Sequence, residues 1–298
     1  MDRLDRLRAF VNVVETGSFT RAAQLLDLSK TAVSQCVQRL EAELGVKLLH
    51  RSTRRVQATD EGALYYDKVL RLLADWAEAD TSVRGAASAP RGRLRVELPS
   101  PVAALLVVPA LPDFLARYPG IELELGASDR RVDVIADNVD AVLRAGVLED
   151  SSLTARRVGE LQFKAYAAPR YLAGAGRPTH PRELAGPAHR VVAYRRSLVQ
   201  RPQPLALFKA DERLELTPHP ALTLDDGNAY LAAGLAGLGV LWLTDYMAAA
   251  PQARGELVPV LEGWGLAPLP LYWVFPSQRH PSARLRAFTD WVEARLAS

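Results

Sequence analysis

The first 58 residues constrain the fold most, because their apolar positions keep helical spacing only in short runs cut by strong turn signals. Leu4, Leu7, Phe10, Val11 and Val14 recur at steps that suit one helix face and stop at Thr16-Gly17-Ser18. Ser18 or Thr20 suits the start of a second short helix that holds Ala22, Ala23, Leu25 and Leu26. Asp27-Leu28-Ser29 makes a tight turn, and Ser29 caps a third helix that Gly45 stops. On that third helix Val33, Val37, Leu40 and Leu44 form one apolar stripe. Lys30, Thr31, Ser34, Gln35 and Gln38 face away from it. Residues 46–49 then predict a strand, 50–55 a polar and basic turn, and 56–58 the returning strand. The expected unit is a helix-turn-helix followed by a hairpin wing that carries Arg51, Arg54 and Arg55 near its tip.

The outward residues of the third helix are the right kind to read DNA. A helix fits the major groove, and Gln pairs bidentately with adenine while Lys reaches guanine or phosphate. Thr31 and Ser34 are small enough to let the helix come close. An arginine on the wing grips phosphates or enters a narrow minor groove. Charge agrees with this reading. Residues 1–58 hold ten Lys and Arg against six Asp and Glu, although the whole chain carries only +3. The plain alternative, a solvated basic surface helix, explains the helix face but not the wing that follows it.

At this point residues 1–62 resemble the DNA-binding domain of the LysR-type transcriptional regulators. The resemblance rests on Leu7-Arg8-Ala9-Phe10, Gly17-Ser18-Phe19-Thr20-Arg21-Ala22-Ala23, Leu28-Ser29, Ala32-Val33-Ser34-Gln35, Leu40-Glu41 and Leu44-Gly45. It continues through Leu48-Leu49-His50-Arg51, Arg54 and Thr59-Asp60-Glu61-Gly62. Leu49 stands where the family usually has Phe, and Ala58 where it often has Leu; both keep apolar character. More weakly, the resemblance extends over the whole chain. It implies a winged helix-turn-helix at 1–58, a linker and dimerisation helix at 59–88, and an effector-binding domain at 91–298. The last would be a two-lobed α/β domain like a periplasmic solute-binding protein, with lobe I at 91–161 and 266–298 and lobe II at 162–265.

The linker segment reads as one long helix. Thr59 caps it, and Asp60 and Glu61 suit its positive end. Tyr66, Val69, Leu73 and Trp76 fall at alternating three- and four-residue steps, the spacing of a coiled-coil seam. With no neighbouring core in view they are expected to pair two chains, although packing on the helix's own domain gives the same pattern. The family implies a homodimer or homotetramer on double-stranded promoter DNA, with the transcription machinery as a further partner.

After the small-residue linker at 85–92, strands and helices alternate, which means an α/β sheet. In such sheets ligands bind at the carboxyl ends of the strands. Ser100 follows the first strand and precedes Pro101, so it opens a helix and is either a simple cap or an anion site. Ser128 and Arg144 end later strands on the same side, and Arg144 is either a carboxylate binder or the partner of Asp137 or Asp140. Tyr194 and Asp226 are the candidates from lobe II, while Leu105 and Trp242 would line an apolar cleft instead. The family resemblance implies a small-molecule effector in this domain and favours Ser100 as one of its contacts. The alternative is a regulator whose cleft binds nothing.

Other classes fit less well. The five histidines show no metal-ligand spacing, and there is no nucleophile elbow, phosphate loop or dinucleotide fingerprint, so no enzyme, metal or cofactor is expected. A lone cysteine, Cys36, rules out an intramolecular disulfide. The apolar stretch at 102–111 is short and contains Pro109, so no membrane partner is expected. The highly charged opening does not read as an export leader, and a cytoplasmic setting is expected.

Overall fold

Each of the first three helices starts where a side-chain oxygen takes up a free amide. Asp2 accepts from the Asp5 amide at 2.8 Å and Asp5 from the Asp2 amide at 3.0 Å, a reciprocal cap on α1 (Arg3–Thr16). Ser18 caps α2 (Phe19–Leu25) through the Arg21 amide, and Ser29 caps α3 (Lys30–Leu44) through the Ala32 amide. Gly17 and Gly45 close α1 and α3 at φ of 61° and 72°, the left-handed region that favours glycine. The computed structural model describes residues 1–51, 56–83, 89–130, 134, 137, 139–146, 153–195, 204–218, 220–276 and 281–296. They divide into two units, Met1–Ser88 and Ala89–Ser298.

In the first unit Phe10, Val13, Val33, Val37, Leu40 and Leu48 form a core that α1, α2 and α3 enclose. Strand β1 (Leu49–Arg51) pairs antiparallel with β2 (Val56–Ala58), with Leu49 opposite Ala58. The first strand thus begins later than the expected 46–49 and takes in His50 and Arg51, because Lys47 and Leu48 are held by α3 and Thr59 instead. Helix α4 (Asp60–Val83) follows, capped by the Thr59 hydroxyl, which accepts from the Gly62 amide at 2.9 Å.

Helix α4 corrects one expectation. Val69 is 3% exposed and belongs to the core, and Tyr66 and Leu73 pack against that core. Tyr66 also donates to Glu15 at 3.1 Å and sits edge-on to Phe10. Val69 is thus taken up by the core of its own domain, while Tyr66 and Leu73 pack beside it and stay half-buried. Their spacing is that of a seam, but α1 lies alongside and supplies a core that the sequence does not reveal. Trp76 differs: it is 53% exposed, like Leu72, and Leu64 is more exposed still.

The second unit holds two larger sheets. Lobe I is built from β3 (Gly92–Leu98), β4 (Ile121–Ala127), β5 (Ala141–Ala145), β6 (Leu153–Leu161) and the late strand β15 (Leu269–Pro276), in the order β4-β3-β5-β15-β6. Strand β3 runs parallel to β4 and β5, and β15 runs antiparallel to β5 and β6. Lobe II is built from β7 (Phe163–Ala167), β9 (Leu205–Lys209), β10 (Glu212–Leu216), β12 (Leu241–Thr244) and β14 (Gly265–Leu266), in the order β10-β9-β14-β7-β12. Strand β13 (Val258–Pro259) adds to β7, and β8 (Val191–Tyr194) pairs parallel with β11 (Pro220–Leu224). The chain crosses between lobes twice, from β6 to β7 and from β14 to β15.

Trp273, Phe114, Phe288, Leu94, Leu98 and Leu143 are fully buried in the lobe I core. The helix Ser100–Arg117 is long and apolar enough, by length and composition, to cross a membrane. Val102, Ala103, Val107 and Phe114 explain that composition, since all four are buried against the lobe I sheet. Pro109 and Pro112 break its regularity, and it passes through a wider turn at Ala103–Val107 and a tighter one at Val108–Ala110.

Candidate DNA-reading face and effector site

On α3 the two faces separate cleanly. Val33, Cys36, Val37 and Leu40 are buried, while Lys30, Thr31, Gln35 and Gln38 are exposed and Ser34 is half-buried beside them. The five residues read from the sequence thus lie on one solvent-facing strip over the first turns of the helix. Arg51 lies in β1, and Arg54 and Arg55 lie outside the described residues. Arg39, also exposed on α3, adds a cation to this strip.

The wing is fastened to α3 by a residue that the sequence did not single out for this role. Glu41 is 3% exposed, yet both of its carboxylate oxygens are engaged. One oxygen accepts from the Leu48 and Leu49 amides at 3.0 and 3.2 Å, and the other accepts from Lys47 at 3.2 Å. A buried carboxylate is tolerable only with such partners. Thr59 completes the tie by donating to the Lys47 carbonyl at 2.8 Å, and its amide donates to the Leu48 carbonyl at 3.0 Å. The signal for Glu41 was an acidic residue on the apolar side of a helix, next to Leu40.

In the second unit, Ser100, Tyr194 and Asp226 converge on a residue missed in the sequence, Asp129. The Asp129 carboxylate accepts from the Ser100 amide at 2.9 Å through one oxygen and from the Gly227 amide at 2.5 Å through the other. The Tyr194 hydroxyl also bonds to it, and the Tyr194 ring stands edge-on to Tyr230 at 5.5 Å. Burial pushes the Asp129 carboxyl above its ordinary range and the nearby Asp226 charge adds to the rise, against the pull of Gly227, Ser100 and Tyr194. Asp226 is engaged as the cap of helix Gly227–Leu235, accepting from the Ala229 amide at 2.8 Å. Ser128 accepts from the Arg130 amide at 3.2 Å and shapes the loop that presents Asp129.

Other candidates stand elsewhere. Arg144 shares the sheet face of Val142, opposite the Leu143 and Ala145 face that helix Ser100–Arg117 covers. Trp242 is buried in the lobe II core with Ala165, Tyr171 and Leu207, which withdraws it from a cleft lining. Leu105 is partly exposed on its helix.

Residues 4–63 match the model of the bacterial regulatory helix-turn-helix proteins of the lysR family, and residues 87–297 match the LysR substrate-binding domain. The chain belongs to the LysR family. It is a DNA-binding transcriptional regulator with an effector-binding domain, and modulation by an effector is typical of such proteins. This LysR-type regulator is 38% identical over 292 residues to a transcriptional repressor of Pseudomonas aeruginosa, across 98% of this chain and 92% of that one. The regulator CrgA of Neisseria meningitidis has a solved structure that is 35% identical, with a TM-score of 0.63 over 99% of both chains. The full-length virulence activator AphB of Vibrio cholerae is 28% identical, with a TM-score of 0.59 over 99% of both chains. Proteins of this family bind promoter DNA and effectors and form oligomers.

Proposed function

We propose that this LysR-type regulator selects its promoter site with Lys30, Thr31, Ser34, Gln35 and Gln38, while Arg51, Arg54 and Arg55 hold the DNA backbone. One observation carries this reading: a strip of short polar and amide side chains stays outward on α3, while the opposite side of the same helix is buried. The core of the domain is built without that strip, and the major groove takes such a surface. Two chains pair through α4 by way of Leu72 and Trp76, so that two reading helices meet a dyad-symmetric site. The regulator acts by binding rather than by catalysis, as do relatives named as repressors and activators, and it works in the cytoplasm, where promoter DNA is.

A small polar or anionic organic effector sits between the lobes beside Ser100, Ser128 and Tyr194. The convergence of groups from both lobes on one point supports this placement, since a ligand there has differential contact with open and closed arrangements. The test of DNA reading is selection from random duplexes. Enrichment of two related half-sites, lost in Gln35→Ala, is the expected result; recovery of unrelated sequences overturns the reading. The test of the effector is a metabolite screen by thermal shift on wild type and Ser100→Ala. A ligand that stabilises both equally makes no use of the Ser100 hydroxyl, and equal stabilisation of Tyr194→Phe as well would place it elsewhere.

A further inference from the structure

A site that merely awaits a ligand does not account for the meeting point of the lobes, because an acidic side chain of the protein itself already fills it. Helix Ser100–Arg117 of lobe I and helix Gly227–Leu235 of lobe II aim their first amides at one point, where positive helix ends gather. Asp129 places one carboxylate oxygen on each. Sequence distance stresses how specific this is, because Asp129 lies 29 residues from Ser100 and 98 from Gly227.

The approach of the lobes here is also unusually close. A β-carbon on Gly227 would lie 2.3 Å from Pro101 and 3.0 Å from the Asp129 carboxylate, so only glycine permits the contact. The neighbouring ion pair between Arg130 and Asp225, at 3.6 Å with Arg130 largely exposed, is a weak bridge by comparison. Of the two links between the lobes here, the bond from the Gly227 amide to Asp129 is the shorter and the more enclosed.

Resting on the effector reading above, we propose that the Asp129 carboxylate is a built-in latch that fastens lobe II to lobe I through two helix N-termini, and that the effector acts by taking its place. The class of effector follows. It carries a carboxylate or similar planar oxoanion that bonds both amides, with further contacts to outcompete a tethered group that needs no diffusion. Displacing Asp129 also returns its charge toward water, which favours the exchange.

The experiment uses the full-length protein bound to a DNA fragment that it protects, with formate as the probe. Hydrogen exchange is followed at the Ser100 and Gly227 helix starts in wild type, Asp129→Ala and Asp225→Ala, at matched ionic strength in chloride or formate. In Asp129→Ala both helix starts are expected to exchange roughly tenfold faster, and formate should restore protection in a saturable way. Wild type should not respond to formate, and Asp225→Ala should exchange as wild type does. Equal exchange in Asp129→Ala and wild type, or loss of protection that formate fails to restore, overturns the latch. The footprint of Asp129→Ala should differ from that of wild type and return toward it with formate. A latch that opens and closes with no change in footprint overturns its role in regulation, yet leaves the effector reading to the thermal-shift screen. Should Asp129→Ala not fold, Asp129→Asn keeps the shape and one acceptor. Faster exchange at one helix start is then expected, and wild-type exchange at both is the contrary result.

Discussion

The backbone carbonyl of Leu48 occupies the space beside Gly62 so closely that a β-carbon there would lie 1.9 Å from its oxygen. Gly62 stands inside the first turns of α4, where alanine would ordinarily stabilise a helix by about 1 kcal/mol. Here the sign reverses. Gly62→Ala must push α4 off the wing, at a cost of about 1–3 kcal/mol, and a urea melt of the first unit's signals should show it. A stability equal to or above wild type would mean that the wing yields freely.

Gln35 lies exposed on the reading strip and makes none of the core contacts of α3. Gln35→Ala is therefore expected to leave the melting temperature unchanged and to lose about 1–3 kcal/mol of discrimination at one base pair. Competition binding with single-base variants of the selected site measures it. A uniform loss across all variants would assign Gln35 to backbone contact.

The two faces of α4 predict opposite phenotypes. Val69→Ala empties core volume and should cost about 2 kcal/mol while leaving association intact. Leu72→Asp with Trp76→Asp touches exposed positions and should give a stable protein that no longer dimerises. Sedimentation equilibrium separates them, and an unchanged mass for the double variant would move the dimer contact away from this helix.

Asp113 ties helix Ser100–Arg117 to the last helix, Ala283–Leu296. It accepts from the Trp291 indole at 2.9 Å and from Arg295 at 2.8 Å. The Trp291 bond, with help from Arg117 and Arg295, holds the Asp113 carboxyl below its ordinary value of 3.8. A depressed folded value means that the ionised form is favoured by folding. The contribution is present above the ordinary value and fades as pH falls through the folded one. Asp113→Asn should melt slightly below wild type at pH 7, with the two curves converging in acid. A gap that persists at low pH would point to lost packing instead.

Local chemistry made most of the first unit legible. Caps at Ser18 and Ser29, stops at Gly17 and Gly45, and the stripe Val33, Val37, Leu40 are decided within a few residues, so the sequence alone determines α1, α2 and α3 and the face that α3 leaves outward. It also determines the alternation that makes the second unit α/β. Strands β6 and β10 are hard to read from the sequence because they lie at sheet edges, where one side needs no apolar cover. Charged residues such as Arg156, Arg157, Glu212 and Arg213 hide the alternation there.

Only the tertiary structure decided which face of α4 is covered and what fills the space between the lobes. Tyr66, Val69 and Leu73 have the spacing of a seam between chains, and no local rule says whether a second chain or α1 will meet it. In the structure α1 meets Val69, and Tyr66 and Leu73 pack half-buried beside it. Asp129 gave no signal of its own, since one carboxylate in a polar loop is ordinary. Its meaning comes from Ser100 and Gly227, which are remote in sequence and are brought to it by the double crossing between lobes. Periodicity and capping act over a turn or two of chain, whereas a contact between elements far apart in sequence exists only once the whole second unit has closed around it.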